Sequence, residues 1–176
     1  MNHPIRLAVA MLAALAAVPA MAQMRALSDP VVAHPDPESL FTSKDPVLHR
    51  NKQASLHIMR ELLQCNQWSR ADEWLTSRYI QHNPMAASGL EGVKNFFVNT
   101  LKLKPAATCT KLTSPIVAVQ AEGDYVTVMA VRTMKYADDP TKSYTTTWYD
   151  TWRFVNGKAD EHWDPATLPA GPAAGR

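Results

Sequence analysis

The chain has 176 residues, of which 46% are apolar and 19% charged, with a formal net charge of +2. That length supports one hydrophobic core and is too short for two. The near-balance of charge excludes the basic footprint of a nucleic-acid-binding protein and the acidic excess of a disordered tail. The expected partner is a small molecule or another protein.

Residues 1–22 carry the three parts of a secretory signal: the positive Arg6, an apolar run over residues 7–18, and the small-x-small ending Ala20-Met21-Ala22. The run is shorter than the about 20 residues a spanning helix needs. The mature chain is therefore expected in the periplasm or secreted, with no membrane attachment after cleavage. Residues 23–44, with Pro30, Pro35 and Pro37 and no periodicity, read as an extended leader that crosses the periplasm or packs loosely on the domain. The folded domain is expected over 45–166 and a Pro/Gly/Ala-rich flexible tail over 167–176. Asp45-Pro46 predicts an N-cap followed by proline at the first helical position. Ser55, Ile58, Met59, Leu62 and Leu63 extend that helix to about Gln64. Ser69-Arg70-Ala71-Asp72 predicts a capping box opening a second, short helix that carries Trp74 and Leu75. A third helix follows the box Ser88-Gly89-Leu90-Glu91, with Val93, Phe96, Phe97, Thr100 and Leu101 on one face.

After Pro105 the period changes to two. Residues 116–121 and 125–133 flank the turn Glu122-Gly123-Asp124, and residues 143–155 and 158–163 flank Asn156-Gly157, a strong hairpin signal. Helices first and antiparallel strands after them make an α+β fold, three helices packed on one face of a curved sheet. Cys65 and Cys109 either form one bridge across 44 positions or are two small buried apolar residues; spacing alone leaves both open.

The long strand places Tyr144, Thr146, Trp148, Asp150, Trp152 and Phe154 on one face and Thr145, Thr147, Tyr149, Thr151, Arg153 and Val155 on the other. Asp150 thus stands in an aromatic face, where a carboxylate is costly unless paired or protonated. It is either a candidate acid or base, or a structural group bonded to an indole or phenol. The hairpin decides which residues join it. A two-residue Asn156-Gly157 loop sets Asp150 opposite Trp163 and turns His162 and Asp164 outward. A three-residue loop with a bulge and a left-handed Gly157 sets Asp150 opposite His162, Trp148 opposite Asp164 and Trp152 opposite Asp160. Turn statistics slightly favour the first. The cost of burying Asp150 beside Glu161 among aromatics favours the second, which is the expectation here.

The ending Asp150-x-x-Arg153-x-x-x-Gly157-Lys158-x-x-Glu161-His162-Trp163-Asp164 resembles the C-terminal signature of SnoaL-like proteins, polyketide-cyclase relatives in the nuclear-transport-factor-2-like superfamily. So does Tyr79-Ile80-Gln81-His82-Asn83-Pro84, with Gly89 or Gly92 and Phe96-Phe97 after it. The resemblance spans residues 46–165 and implies a cone-shaped α+β barrel with a pocket at its open end. It also implies a homodimer and cofactor-free acid/base chemistry of lyase or isomerase type on a carbonyl compound, with Asp164 and Asp150 as the proton-handling pair and His162 beside them. His82, Tyr79, Trp74, Trp148 and Trp152 are the expected walls and hydrogen-bond donors for a small apolar or aromatic substrate. The alternative is a non-catalytic periplasmic binder using the same pocket. Three or four of His82, Asp150, His162 and Asp164 could bind a metal if they converged, but no short-range spacing such as His-x-His supports one, and none is expected.

Overall fold

The computed structural model describes residues 25–166. The signal over 1–22 and the tail over 167–176 lie outside the described residues. Three helices pack on a curved, unclosed five-stranded sheet of order β1-β5-β4-β3-β2, the α+β architecture expected. Helix α1 spans Pro46–His57. The Asp45 carboxylate accepts from the N–H groups of Val47 at 2.8 Å and Leu48 at 2.9 Å, so two of the helix's orphan donors are satisfied. Over Ile58–Gln64 the winding widens to i→i+5 bonds, such as Cys65 N–H to the Arg60 carbonyl at 3.0 Å. Cys65 and Cys109 are joined as a disulfide, Cα to Cα 6.0 Å.

Helix α2 is a single turn, Ala71–Trp74, and no side chain caps it. The chain then enters strand β1, Leu75–Gln81, an element absent from the sequence expectation. Helix α3 covers Leu90–Asn95 and widens over Phe96–Thr100. Ser88 does not cap it; the hydroxyl accepts instead from the Gln81 N–H at 3.0 Å, tying the helix start to the end of β1. Val93 is buried, but Thr100 and Leu101, expected on the same packed face, are exposed. Strands β2 (Ile116–Glu122), β3 (Tyr125–Lys135), β4 (Ser143–Val155) and β5 (Lys158–Trp163) form an antiparallel run, and β1 joins β5 in parallel at the edge. The core lies between α1, its widened end and the inner sheet face: Phe41, Leu62, Ile116, Val126, Val128, Trp152 and Phe154 are all at most 2% exposed. The segment ahead of α1 is tied to the domain, because Phe41 enters the core and the His34 N–H donates to the Ile116 carbonyl at 2.7 Å. No helix among the described residues is long and apolar enough to cross a membrane.

The final hairpin departs from both registers considered above. Asn156 (φ 51) and Gly157 (φ 82) are both left-handed, as a two-residue turn requires, and Val155 faces Lys158. The bulge comes later, in β5: Phe154 faces Ala159, but Arg153 already faces Glu161 and Trp152 faces His162. The expected three-residue loop, with Asp150 directly opposite His162, is therefore replaced by a tight turn and a bulge at Asp160. Arg153 gives the physical reason. Its guanidinium reaches Asp160 Oδ2 at 2.5 Å and Glu161 Oε1 at 2.8 Å, so both acids face outward against one cation. With Glu161 outside, His162 turns inward and Glu161 does not join Asp150 on the aromatic face.

Candidate active site

Inside the sheet, the even face of β4 changes character along its length. Phe154 and Trp152 fill the core, Asp150 is 8% exposed where the core gives way, and Trp148 lines a cavity of about 390 Å³ beyond it. From β5, His162 enters the same cavity. The register continued past Trp163 brings the half-buried Asp164 there too. Leu63, Met85, Phe96, Phe97 and Leu101 make the apolar wall. Arg132 of β3 lies over the Trp148 ring, 3.5 Å from its centroid, and adds a cation to the rim.

His162 Nε2 lies 3.1 Å from Asp150 Oδ1, and Nδ1 lies 3.0 Å from Gln81 Oε1. The Asn83 N–H also donates to Gln81 Oε1, at 3.1 Å, which identifies that atom as the acceptor. Nδ1 of His162 therefore carries a proton. For the Nε2–Asp150 contact to be a hydrogen bond, one more proton must lie between those two atoms. Asp164 is oriented by a parallel device. Asn83 Nδ2 donates to Asp164 Oδ1 at 2.8 Å, while the Asn83 side-chain oxygen accepts from the Met85 N–H at 3.0 Å. Two amides at the end of β1 thus hold His162 of β5 and Asp164 of its continuation.

The expected binding residues divide. Trp148 lines the cavity. Trp152 and Tyr79 lie behind it in the core, with the Trp152 indole donating to the Tyr79 hydroxyl at 3.2 Å. Burial pushes the Tyr79 phenol far up, so it stays protonated. Trp74 is remote: it stacks on His57 at 4.0 Å and donates to the buried Glu61 at 3.1 Å. Burial would raise the Glu61 pKa, but hydrogen bonds from His57 and Trp74 and the charges of His57 and Arg70 hold it below the usual range. His82, expected at the pocket rim, points to the opposite face, where Nε2 meets Glu161 Oε2 at 3.0 Å and the ring stacks on Trp163 at 4.4 Å. The cause is strand parity. On β1 and its extension, Tyr79, Gln81 and Asn83 face inward and His82 cannot.

Gln81, Asn83 and Arg132 are the polar lining residues missed by sequence reasoning. A strand assignment over residues 75–81 would have exposed the first two, since alternation from Tyr79 selects them. Asp150, His162 and Asp164 each offer a ligand atom within 4.8 Å of the others, and they form the group among the described residues that could hold a metal ion. A metal there would have to displace the proton between His162 Nε2 and Asp150.

A comparison with curated proteins finds no match. Solved structures similar to this chain include a candidate polyketide cyclase from Bacillus cereus, with 17% identity, a TM-score of 0.50, and coverage of 78% of this chain and 91% of that one. A SnoaL-like candidate cyclase from Jannaschia sp. (18% identity, TM-score 0.49) covers 69% of this chain and 88% of that one. One from Acidithiobacillus ferrooxidans (16%, 0.48) covers 66% and 87%. At 17% identity the likeness to the first of these speaks for fold and not for chemistry. The model of the SnoaL-like domain matches residues 57–162, from the end of α1 to the inward-facing histidine of β5, and the chain belongs to that family.

Proposed function

We propose that the cavity binds a carbonyl-bearing apolar or aromatic molecule and moves a proton on it without a cofactor, as a lyase or isomerase. The observation that carries this reading is the convergence of Asp150, His162 and Asp164 on one cavity of about 390 Å³ with largely apolar walls. Asp164 is the more exposed of the two carboxylates and is the base that takes a proton from the carbon next to the carbonyl. The Asp150–His162 pair holds one movable proton and returns it to the oxygen that becomes negative. For an aldol closure the enolate carbon attacks a second carbonyl and that proton neutralises the new alkoxide. The proton taken by Asp164 then passes to the Asp150–His162 pair, whose polar atoms lie within 4.8 Å, so the site is restored and the balance needs nothing from outside.

A non-catalytic carrier is the second reading, favoured by the mutual hydrogen bond of Asp150 and His162, which leaves neither in need of a substrate. Ligand trapped by the purified protein, read by native mass spectrometry, supplies the molecule. With it, Asp164→Asn should abolish turnover while leaving affinity within about tenfold, the mark of a proton-transfer group. Equal loss of both would favour the carrier. We further place the protein in the periplasm or outside the cell, a reading supported by the signal pattern and by the Cys65–Cys109 bridge, which suits an oxidising compartment. A homodimer through the outer sheet face around Tyr125 and Tyr149, 47% and 45% exposed, completes the proposal. A concentration-independent monomer in analytical ultracentrifugation would remove it.

A further inference from the structure

Behind the main cavity lies a second, much smaller chamber of about 20 Å³. Leu63, Gln81, Phe97 and His162 line both spaces, so these four side chains alone stand at the partition. The chamber's wall also includes Trp68 and Tyr79, which are 3% and 4% exposed. Trp68 stacks on Phe97 at 3.9 Å. Its indole N–H is buried and has no acceptor among the described residues. Tyr79 accepts from Trp152 through its oxygen, and its own hydroxyl hydrogen likewise has no acceptor among them. A buried donor without an acceptor forfeits its hydration for nothing, so two at one small chamber call for a partner. A space of this size holds one oxygen atom or one water, since a water needs about 10–15 Å³.

The geometry points to this chamber as an acceptor-oxygen subsite: Trp68 and Tyr79 donate to the carbonyl oxygen of the bound molecule while its neighbouring carbon stays in the main cavity, facing Asp164. The inference rests on the reading of the main cavity as a carbonyl-compound site and adds fixed neutral donors for the oxygen of the carbonyl whose neighbouring carbon is deprotonated, leaving the Asp150–His162 proton for the new alkoxide. It also defines the substrate class. The reactive carbonyl must stand at one end of an apolar body, narrow enough to pass Phe97, rather than in the middle of a bulky ring system.

The test uses 2-acetylnaphthalene as the probe and 2-isopropylnaphthalene as a shape match lacking the oxygen, with 15N-labelled protein. The five tryptophan indole signals are assigned by single Trp→Phe variants. The ketone should move the Trp68 indole signal downfield, and the hydrocarbon should not. The ketone should also bind about tenfold more tightly, and Trp68→Phe and Tyr79→Phe should each erase most of that advantage without weakening the hydrocarbon. Should Trp68→Phe fail to fold, the wild-type spectrum and Tyr79→Phe decide alone. If both probes bind, moving the Trp148 signal alone and with equal affinity, the subsite is overturned and the main-cavity reading stands. If neither probe binds, the cavity reading falls and the subsite falls with it.

Discussion

Asp160 is the residue on which the register of the site turns, and replacing it by asparagine should separate its charge from its shape. The carboxylate is 5% exposed, bonds Arg78, lies 2.5 Å from Arg153 Nη2, and accepts from the Thr76 hydroxyl at 2.7 Å. Asparagine keeps one acceptor oxygen for Thr76 but cannot answer two guanidinium groups. Each charge-assisted bond contributes about 1.5–3 kcal/mol, and both arginines retain access to water, so a net loss of about 2–3 kcal/mol is expected. For a domain of this size that lowers Tm by roughly 5–10 °C. Differential scanning calorimetry or urea denaturation at neutral pH reads it directly. The pH dependence supplies the sharper check. The hydrogen bond from Arg78, then that from Thr76 and the charges of Arg78 and Arg153, hold the Asp160 carboxyl below its ordinary range against the opposing effect of burial. A depressed folded pKa contributes stability that is fully present above the unfolded value of about 3.9 and is lost as pH falls through the folded value. The gap between wild type and Asp160→Asn should therefore be constant above about pH 5 and close progressively below pH 4. A gap unchanged down to pH 2.5, or none at pH 7, would refute the assignment of the bulge to this ion pair.

Reduction of the Cys65–Cys109 bridge, or its replacement by serines, opens a loop of 44 positions and should cost about 4 kcal/mol by chain entropy, seen as a lower urea midpoint; an unchanged midpoint would show that the bridge constrains nothing. Gly157→Ala should cost about 1–2 kcal/mol, because its φ of +82 disfavours a side chain, while Arg50 Cδ, 3.0 Å from the new Cβ, is flexible enough to move aside. Dialysis against a chelator should leave Tm and ligand affinity unchanged. A stoichiometric metal in the elemental analysis, with Tm falling on its removal, would replace proton transfer by a metal centre at Asp150, His162 and Asp164.

Much of this architecture is carried by local pattern. Asp45-Pro46 starts α1 because a side-chain acceptor and a preset φ act within one turn of chain. The bounds of β4 and β5 follow from alternation and from Asn156-Gly157, and the burial of Asp150 follows from parity alone. What tertiary structure decided is the set of choices made by residues far apart in sequence. Strand β1 is an edge strand whose parallel partner lies some eighty residues later, and no short window of sequence contains that pairing. The bulge that turns His162 inward is held by Arg153 of β4 together with Arg78 and Thr76 of β1, so part of its cause lies outside the hairpin it reshapes. Gln81 and Asn83 acquire their orienting roles only when that strand is in place. Periodicity is a property of a single segment, whereas register at a bulge is set by the charges that other segments bring to it.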